Sequence, residues 1–183
     1  MPEITYSRYA GADAADQLDA FVPAYEEIYV EPPYLEGPRD VAEFIEHYAV
    51  QARRPGMRLV LAREGDEVVG FTYGYYLASD TRWWANLQDV QLPAEVTRED
   101  GLRTFVVIEM AVRKPWRRQG ISAALHGRLL DGVTAERVTL TVRPEAEAAA
   151  ARTAYLSWGY EVVGTSHPWD DAPLYDCLLR PLS

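Results

Sequence analysis

The sequence predicts an α/β (α+β) fold in which strands alternate with amphipathic helices. Residues 105–112 form an apolar run, rich in β-branched residues and broken by one carboxylate, which is typical of a strand buried on both faces. Residues 121–130 carry apolar side chains at spacings of three and four, which predicts an amphipathic helix. The order of the other elements extends this alternation along the chain.

The N-terminal part predicts one strand and two helices. Residues 3–9 alternate apolar and polar side chains, as a half-buried strand does. Helical spacing recurs over residues 18–29 and 41–52, and Pro23 leads us to expect that the first helix starts or kinks there. The proline-rich residues 31–38 are expected to form a turn between the two helices.

A hairpin and a long irregular segment follow. Residues 57–63 and 68–78 predict two strands around a Glu-Gly-Asp-Glu turn. Gly70 and Gly74 lie inside the second strand, which indicates a bulge or a close approach of backbone. Residues 79–103 show no period, so we expect an excursion or lid with room for a short helix.

The C-terminal part predicts three strands and one helix. The strands are expected at residues 138–142, 160–164 and 174–179. An alanine-rich helix over residues 145–158 is ended by Gly159. The sequence shows no repeat and no interdomain linker, so one domain over residues 1–183 is expected.

Composition and charge restrict the classes of partner. Of the 183 residues, 48% are hydrophobic and 25% charged, as in an ordinary globular protein. The net charge of −10 disfavours nucleic acid and anionic membranes and favours a cationic or amine substrate, although acidity also simply aids solubility. No run approaches the roughly 20 apolar residues of a membrane span.

The few cysteines and histidines disfavour a disulfide or metal protein. The single cysteine, Cys177, cannot form an internal disulfide, and the N-terminal residues lack a basic-then-apolar signal pattern, so we expect a cytoplasmic protein. His47, His126 and His167 are far apart and show no metal-ligand spacing.

A basic glycine turn separates the central strand from its helix. Arg113, Lys114, Arg117 and Arg118 lie there, followed by Gly120. Glycine lets a ligand approach the backbone closely, and a helix N-terminus offers unpaired N–H groups and a positive dipole end. A solvated basic surface is the plainer alternative, but the glycine turn favours a pyrophosphate site.

Two motifs resemble signatures of the GNAT superfamily of acyl-CoA-dependent N-acyltransferases. Residues 117–122, RRQGIS, resemble Arg/Gln-x-x-Gly-x-Gly/Ala and depart only at Ser122, a small residue that caps helices well. Residues 155–160, YLSWGY, resemble Tyr-x-x-x-Gly-Phe/Tyr. The predicted order of elements resembles that of the superfamily over essentially the whole chain.

This resemblance implies a fold and a set of cofactor contacts. It implies a mixed, mostly antiparallel twisted sheet of about seven strands, flanked by about four helices, with a splayed cleft for acetyl-CoA; the histidine and cysteine spacing adds the expectation of no metal. The main chain of the central strand would bind the pantetheine arm, through Met110, Ala111 and Val112. The pyrophosphate would be bound by Arg117, Arg118, Gln119, Gly120, Ile121 and Ser122, with Arg113 or Lys114 as further candidates to reach a phosphate.

Two side chains are candidates for proton transfer. Glu109 is the single charge in the central strand, and burial would raise its pKa toward that of a general base; the alternative is a structural partner for an arginine. The resemblance implies that Tyr155 protonates the leaving thiolate, whereas the plainer reading makes it a core aromatic. The family often has an asparagine at the position of Ala148, so a pantetheine or cap contact is in doubt.

Aromatic residues and glutamates are concentrated in the segments expected to bind the acceptor. The chain has 12 tyrosines and five tryptophans. Aromatic rings with carboxylates suit a cation, although tyrosines at helical spacing are usually core residues. The predicted acceptor contacts are Tyr29, Tyr34, Tyr73, Tyr75 and Trp84.

The sequence therefore favours an N-acetyltransferase that acts on a primary amine of a small molecule, and it leaves open whether that molecule is cationic. A non-catalytic acyl-CoA-binding or sensing module and a protein or peptide N-acetyltransferase are the alternatives. A nucleotide-phosphate enzyme is disfavoured because no kinase-like or Gly-Lys-Ser/Thr phosphate loop is present. Homodimers are frequent in the resembling superfamily, which leaves a homodimer open.

Overall fold

The computed structural model describes residues 2–182 and contains seven strands and six α-helices. The strands are β1 (Ile4–Ala10), β2 (Arg58–Glu64), β3 (Glu67–Tyr76), β4 (Thr104–Val112), β5 (Arg137–Val142), β6 (Glu161–Ser166) and β7 (Tyr175–Pro181). The helices are α1 (Gly11–Ala15), α2 (Leu18–Tyr29), α3 (Pro38–Gln51), α4 (Ala94–Thr97), α5 (Ile121–Leu130) and α6 (Ala149–Ser157). No helix in this part of the chain is both long and apolar enough to cross a membrane.

The predicted order of elements is confirmed, with α1 as an addition and α4 as the short helix allowed for within the excursion. The short helices α1 and α4 bring the predicted four helices to six. Both are too short to show a helical period in the sequence. Helix α3 begins earlier than predicted, at Pro38, where the N–H of Gly37 donates to Asp40 Oδ2 (2.8 Å).

The strands form a mixed, mostly antiparallel sheet in the order β1-β2-β3-β4-β5-β7-β6, which confirms the predicted fold class. The pairs β1–β2, β2–β3, β5–β7 and β6–β7 are antiparallel. Strands β4 and β5 are parallel, and their register joins Thr104–Val106 to Arg137–Thr139. The contacts of the chain divide it into two compact units, residues 2–75 with 107–133 and residues 76–106 with 134–182. The expectation of one domain stays a prediction.

The core of the first unit is aromatic. Phe21 and Tyr25 of α2 pack against Phe44 of α3 and Phe71 of β3, and the rings of Tyr25 and Phe44 stack at 3.8 Å. Helix α2 runs unbroken through Pro23, so the expectation that the helix starts there is wrong. Aromatic residues on either side of the proline pack into the same core, which holds both halves of the helix in place.

Gly70 confirms the expected close approach of backbone in the hairpin. A Cβ at this position would lie 3.1 Å from the carbonyl oxygen of Ala111 and 3.2 Å from Leu125 Cδ1. The register of β2 and β3 also shifts beside it, between Ala62 and Arg63, as in a β-bulge. The hairpin can therefore lie close to β4 and α5 only because residue 70 lacks a side chain.

The excursion over residues 79–103 is anchored within the second unit. Glu99 Oε2 accepts hydrogen bonds from Trp84 Nε1, Thr104 Oγ1 and Arg137 Nη2, each at 2.8 Å. The Arg137 guanidinium also lies over the Trp84 ring. This buried network fixes two points of the excursion, and helix α4 is the short helix for which the sequence left room.

Candidate functional site

A left-handed turn connects β4 to α5. After a short 3₁₀ turn, Lys114–Trp116, the chain passes through Arg118 (φ +62°) and Gly120 (φ +80°), both in the left-handed region. Gly120 is the residue before the first turn of α5. Glycine adopts this conformation without steric cost, which explains why residue 120 is a glycine.

The N-terminus of α5 is available to an anion. No side chain caps it, because Ser122 lies inside the helix and Gly120 occupies the cap position. Residues 117–120 are exposed. The first helical N–H groups therefore lack intrahelical partners and follow an exposed turn at the positive end of the helix dipole, where a phosphate is stabilised.

The opposite end of α5 is held by two arginines. Arg8 and Arg58 donate to the carbonyl oxygen of Asp131 at 2.8 and 2.7 Å. Arg58 also donates to Leu129 and Arg8 to Arg128. Cations at this end complement the helix dipole and fix the helix whose N-terminus follows the glycine turn.

Two of the four cations near the turn bind glutamates of α2 and of the segment after it. Arg113 bonds Glu27, and Arg117 Nη1 donates to Glu31 Oε2 at 3.2 Å. Arg117 Nε also donates to the carbonyl oxygen of Val112 (2.8 Å). The side chain of Arg113 is thus engaged within the protein, whereas Lys114 and Arg118 are exposed. This leaves Lys114 as the better candidate of the two residues considered for a further phosphate contact.

The residues immediately before and after the predicted pantetheine segment, Met110–Val112, form hydrogen bonds with β3. The carbonyl oxygen of Glu109 accepts from Thr72 Oγ1 (2.8 Å), and the N–H of Arg113 donates to the carbonyl oxygen of Val69 (2.8 Å). These bonds attach β4 to β3 around the segment. Pantetheine contact with its main chain stays a prediction.

Glu109 lies partly buried in β4 and bonds a tyrosine. The hydroxyl of Tyr29 donates to Glu109 Oε2. Burial is the main cause that raises the pKa of Glu109 to about 7, and the charge of Glu36 adds to it, while the Tyr29 hydrogen bond acts in the opposite direction. No lysine or arginine of residues 2–182 forms an ion pair with Glu109, so the structure gives no support to an arginine partner. The role of Glu109 as a base stays a prediction.

The five predicted acceptor contacts differ in burial. Tyr29 contacts the Tyr34 ring at 4.7 Å, and Tyr75 lies beneath Arg54. Tyr73 is 1% exposed and its hydroxyl donates to Gln51 (2.9 Å). Trp84 is also buried, in the second unit. Tyr29 is 8% exposed, so Tyr29, Tyr73 and Trp84 are buried in this structure, whereas Tyr34 and Tyr75 are half-buried. Acceptor contact stays a prediction for all five.

Tyr155 belongs to the second unit. It lies in α6, 7% exposed, with its ring edge-on to Trp158 (5.7 Å) and Tyr160 (5.8 Å). Ala148, buried in the turn before α6, offers no side-chain cap to that helix. The catalytic assignment of Tyr155 stays a prediction.

Sequence reasoning missed the ion pairs that join the basic turn to Glu27 and Glu31, at the end of α2 and just after it. Glu27 and Glu31 are four residues apart, and so are Arg113 and Arg117. This equal spacing of four residues in both segments is the sequence signal that could have indicated that the end of α2 lies alongside the basic turn. No group of three or more histidine, cysteine or acidic side chains within residues 2–182 is arranged to hold a metal ion.

The sequence matches the profile of the Acetyltransferase (GNAT) family over residues 18–160. None of the curated proteins matches the chain significantly in sequence.

Solved structures match the fold over nearly the full chain. The PaiA N-acetyltransferase from Thermoplasma acidophilum, in complex with coenzyme A, has a TM-score of 0.63 and 9% identity, with 98% of this chain and 99% of that chain covered. A GNAT family acetyltransferase from Elizabethkingia anophelis, with acetyl-CoA bound, has a TM-score of 0.59 and 14% identity, with 100% of both chains covered. The ribosomal-protein-S18-alanine N-acetyltransferase from Escherichia coli has a TM-score of 0.62 and 18% identity, with 99% and 95% covered. Identities this low show a common fold.

Proposed function

The chain belongs to the GNAT acetyltransferase family, and we propose that it transfers an acetyl group from acetyl-CoA to a primary amine of a small molecule. The observation that carries this proposal is Glu109, a partly buried carboxylate without a cationic partner in residues 2–182. It lies on the strand that leads directly into the basic glycine turn. A base and an anion site in one unit are what acyl transfer from a coenzyme A thioester to an amine requires.

The residues of the turn fit the pyrophosphate of coenzyme A. The N-terminus of α5 is uncapped, its preceding residues are exposed, and Arg118 and Lys114 supply positive charge in a chain of net charge −10. Gly120 brings main-chain N–H groups to the surface without a side chain in the way. The thioester would supply an activated acyl carbon.

The proposed reaction is a direct transfer. The amine nitrogen bonds to the acyl carbon as the carbon–sulfur bond breaks, Glu109 or a water that it binds takes a proton from the nitrogen, and Tyr155 gives a proton to the sulfur. With a pKa of about 7, Glu109 is available as a base near neutral pH. The main chain near Ala111 or Val112 would polarise the thioester carbonyl.

A small cationic acceptor is favoured over a protein. The net charge of −10 attracts cations, and Glu109 is surrounded by the rings of Tyr25, Tyr29 and Tyr73 and by the charge of Glu36. The proposed contacts remain Tyr29, Tyr34, Tyr73, Tyr75 and Trp84, of which Tyr34 and Tyr75 are the more accessible. A protein or peptide N-terminus remains the alternative acceptor.

A thiol-release assay with acetyl-CoA and a broad panel of amines tests the function. We expect release that depends on the amine, together with a rise in melting temperature on addition of acetyl-CoA. Ser122 and Ala148 differ from the residues usual in the family at these positions, which makes a non-catalytic acyl-CoA-binding module the second candidate. That candidate predicts the same rise in melting temperature with no thiol release for any amine.

We also propose a cytoplasmic location and leave a homodimer open. The single thiol, Cys177, is buried, and burial raises its pKa to about 11, so it is unreactive and requires no oxidising compartment. Size-exclusion chromatography with light scattering measures the oligomeric state.

A further inference from the structure

Two side-chain contacts join helix α2 to strand β4 and to the residue that follows the strand. At one, Tyr29 donates to Glu109; at the other, Arg113 bonds Glu27. Glu27 and Tyr29 lie two residues apart in the last turns of the helix, and Arg113 follows the final residue of the strand. The position of one contact therefore depends on the position of the other.

Arg113 makes several contacts with its guanidinium group. Nε and Nη2 donate to Glu27 Oε2, with 2.9 Å from Nε, and Nη1 donates to Glu67 Oε1 (2.6 Å) and to the carbonyl oxygen of Val68 (3.2 Å). Its side chain is 16% exposed and lies over the Trp116 ring. The planar fork of an arginine can bond both glutamates at once, which the single ammonium of a lysine does not reproduce.

The surroundings of Glu109 make its bond with Tyr29 sensitive to such positioning. Tyr25 and Tyr29 face it from α2, Tyr73 faces it from β3, and Glu36 faces it from the segment between α2 and α3. Burial and the charge of Glu36 both raise the pKa of Glu109. The Tyr29 hydroxyl is the group that stabilises the charged carboxylate.

We propose that Arg113 is a positioning residue, which holds the last turn of α2 through Glu27 so that the Tyr29 hydroxyl stays bonded to Glu109. Glu67 fixes the same guanidinium from β3. The inference rests on the proposed function only in giving Glu109 a catalytic use, and the contacts themselves do not depend on it. The basicity of Glu109 is then set in part by an arginine that does not touch it.

The test is a titration of Glu109 by carbon-13 NMR of labelled glutamate carboxyls, with the resonance assigned from Glu109→Gln. In Tyr29→Phe we expect the midpoint to rise by about one pH unit, since a hydrogen bond to a charged group is lost. Arg113→Met and Glu27→Gln should also raise the titration midpoint of Glu109. Glu27→Gln keeps the positive charge of Arg113 and is nearly isosteric, so it remains informative if Arg113→Met folds poorly.

The double variant Arg113→Met/Tyr29→Phe separates positioning from a direct effect of charge. If Arg113 acts through Tyr29, the double variant titrates with the midpoint of Tyr29→Phe alone. Arg39→Met, which removes the same charge from an exposed pair with Glu43, should leave the midpoint unchanged. An unchanged midpoint in Glu27→Gln, or additive shifts in the double variant, would overturn the proposal. Because the titration needs no turnover, its result is independent of whether acetyl transfer is detected.

Discussion

The hydroxyl of Tyr29 donates a hydrogen bond to Oε2 of Glu109, which joins the last turn of α2 to the middle of β4. The carboxylate has this neutral partner and no ion pair within residues 2–182. A partly buried acid with a neutral donor remains able to change its protonation state near neutral pH, as a base must.

Glu109 should make the stability of the protein fall as the pH rises. Its pKa is raised in the folded protein, from 4.5 to about 7, so the folded state binds the proton more tightly than the unfolded state. The free energy of unfolding therefore loses a contribution between about pH 4.5 and pH 7, and the full loss corresponds to roughly 3 kcal/mol. Urea unfolding at pH 5 and pH 8 should show that Glu109→Gln gains stability relative to the wild type at the higher pH. If the free energies of unfolding of Glu109→Gln and of the wild type differ by the same amount at pH 5 and at pH 8, the raised pKa is contradicted.

Gly120→Ala should weaken both folding and cofactor binding. A Cβ at residue 120 would meet nothing within 4 Å, so the expected cost of about 1–2 kcal/mol comes from its left-handed backbone alone. Isothermal titration with acetyl-CoA should show reduced affinity because the turn relaxes. Gly127→Ala, in the interior of the same helix and also without a close neighbour, is the matched control and should raise stability by up to about 1 kcal/mol. Unchanged affinity in Gly120→Ala would argue against the turn as the phosphate site.

Arg58→Met should destabilise the fold by about 1–2 kcal/mol, because two carbonyl oxygens at the end of α5 lose a charged donor. Denaturant titration measures this loss. Arg39→Met, whose side chain is 91% exposed, should change stability by less than about 0.5 kcal/mol. Equal effects of the two substitutions would show that the cap contributes little.

Tyr155→Phe should lower kcat by about 100-fold or more while the affinity for acetyl-CoA changes little, as expected for loss of a general acid. Tyr160→Phe is the control, because Tyr160 is buried beside Tyr155 in the same unit and has no assigned role. Steady-state kinetics and calorimetry provide the two measurements. An unchanged kcat would remove Tyr155 from the mechanism.

Local patterns predicted the elements of the fold, and tertiary contacts decided the rest. The period of residues 121–130 and the glycine after the basic residues correctly located α5 and the turn before it, and the structure adds that this turn is left-handed. The continuity of α2 through Pro23 could not be predicted, because it depends on aromatic packing with α3 and β3. The partners of Arg113 were equally hidden, since Glu27 is 86 residues away along the chain.

The dependence of kcat/KM on pH tests the central claim most directly, with acetyl-CoA and the best acceptor of the amine panel. If Glu109 is the base, the wild-type profile bends near pH 7, where this carboxyl titrates, and the bend is absent from Glu109→Gln, which also has a lower rate. A bend that persists in Glu109→Gln, or a wild-type profile without a bend between pH 6 and pH 8, would contradict the account.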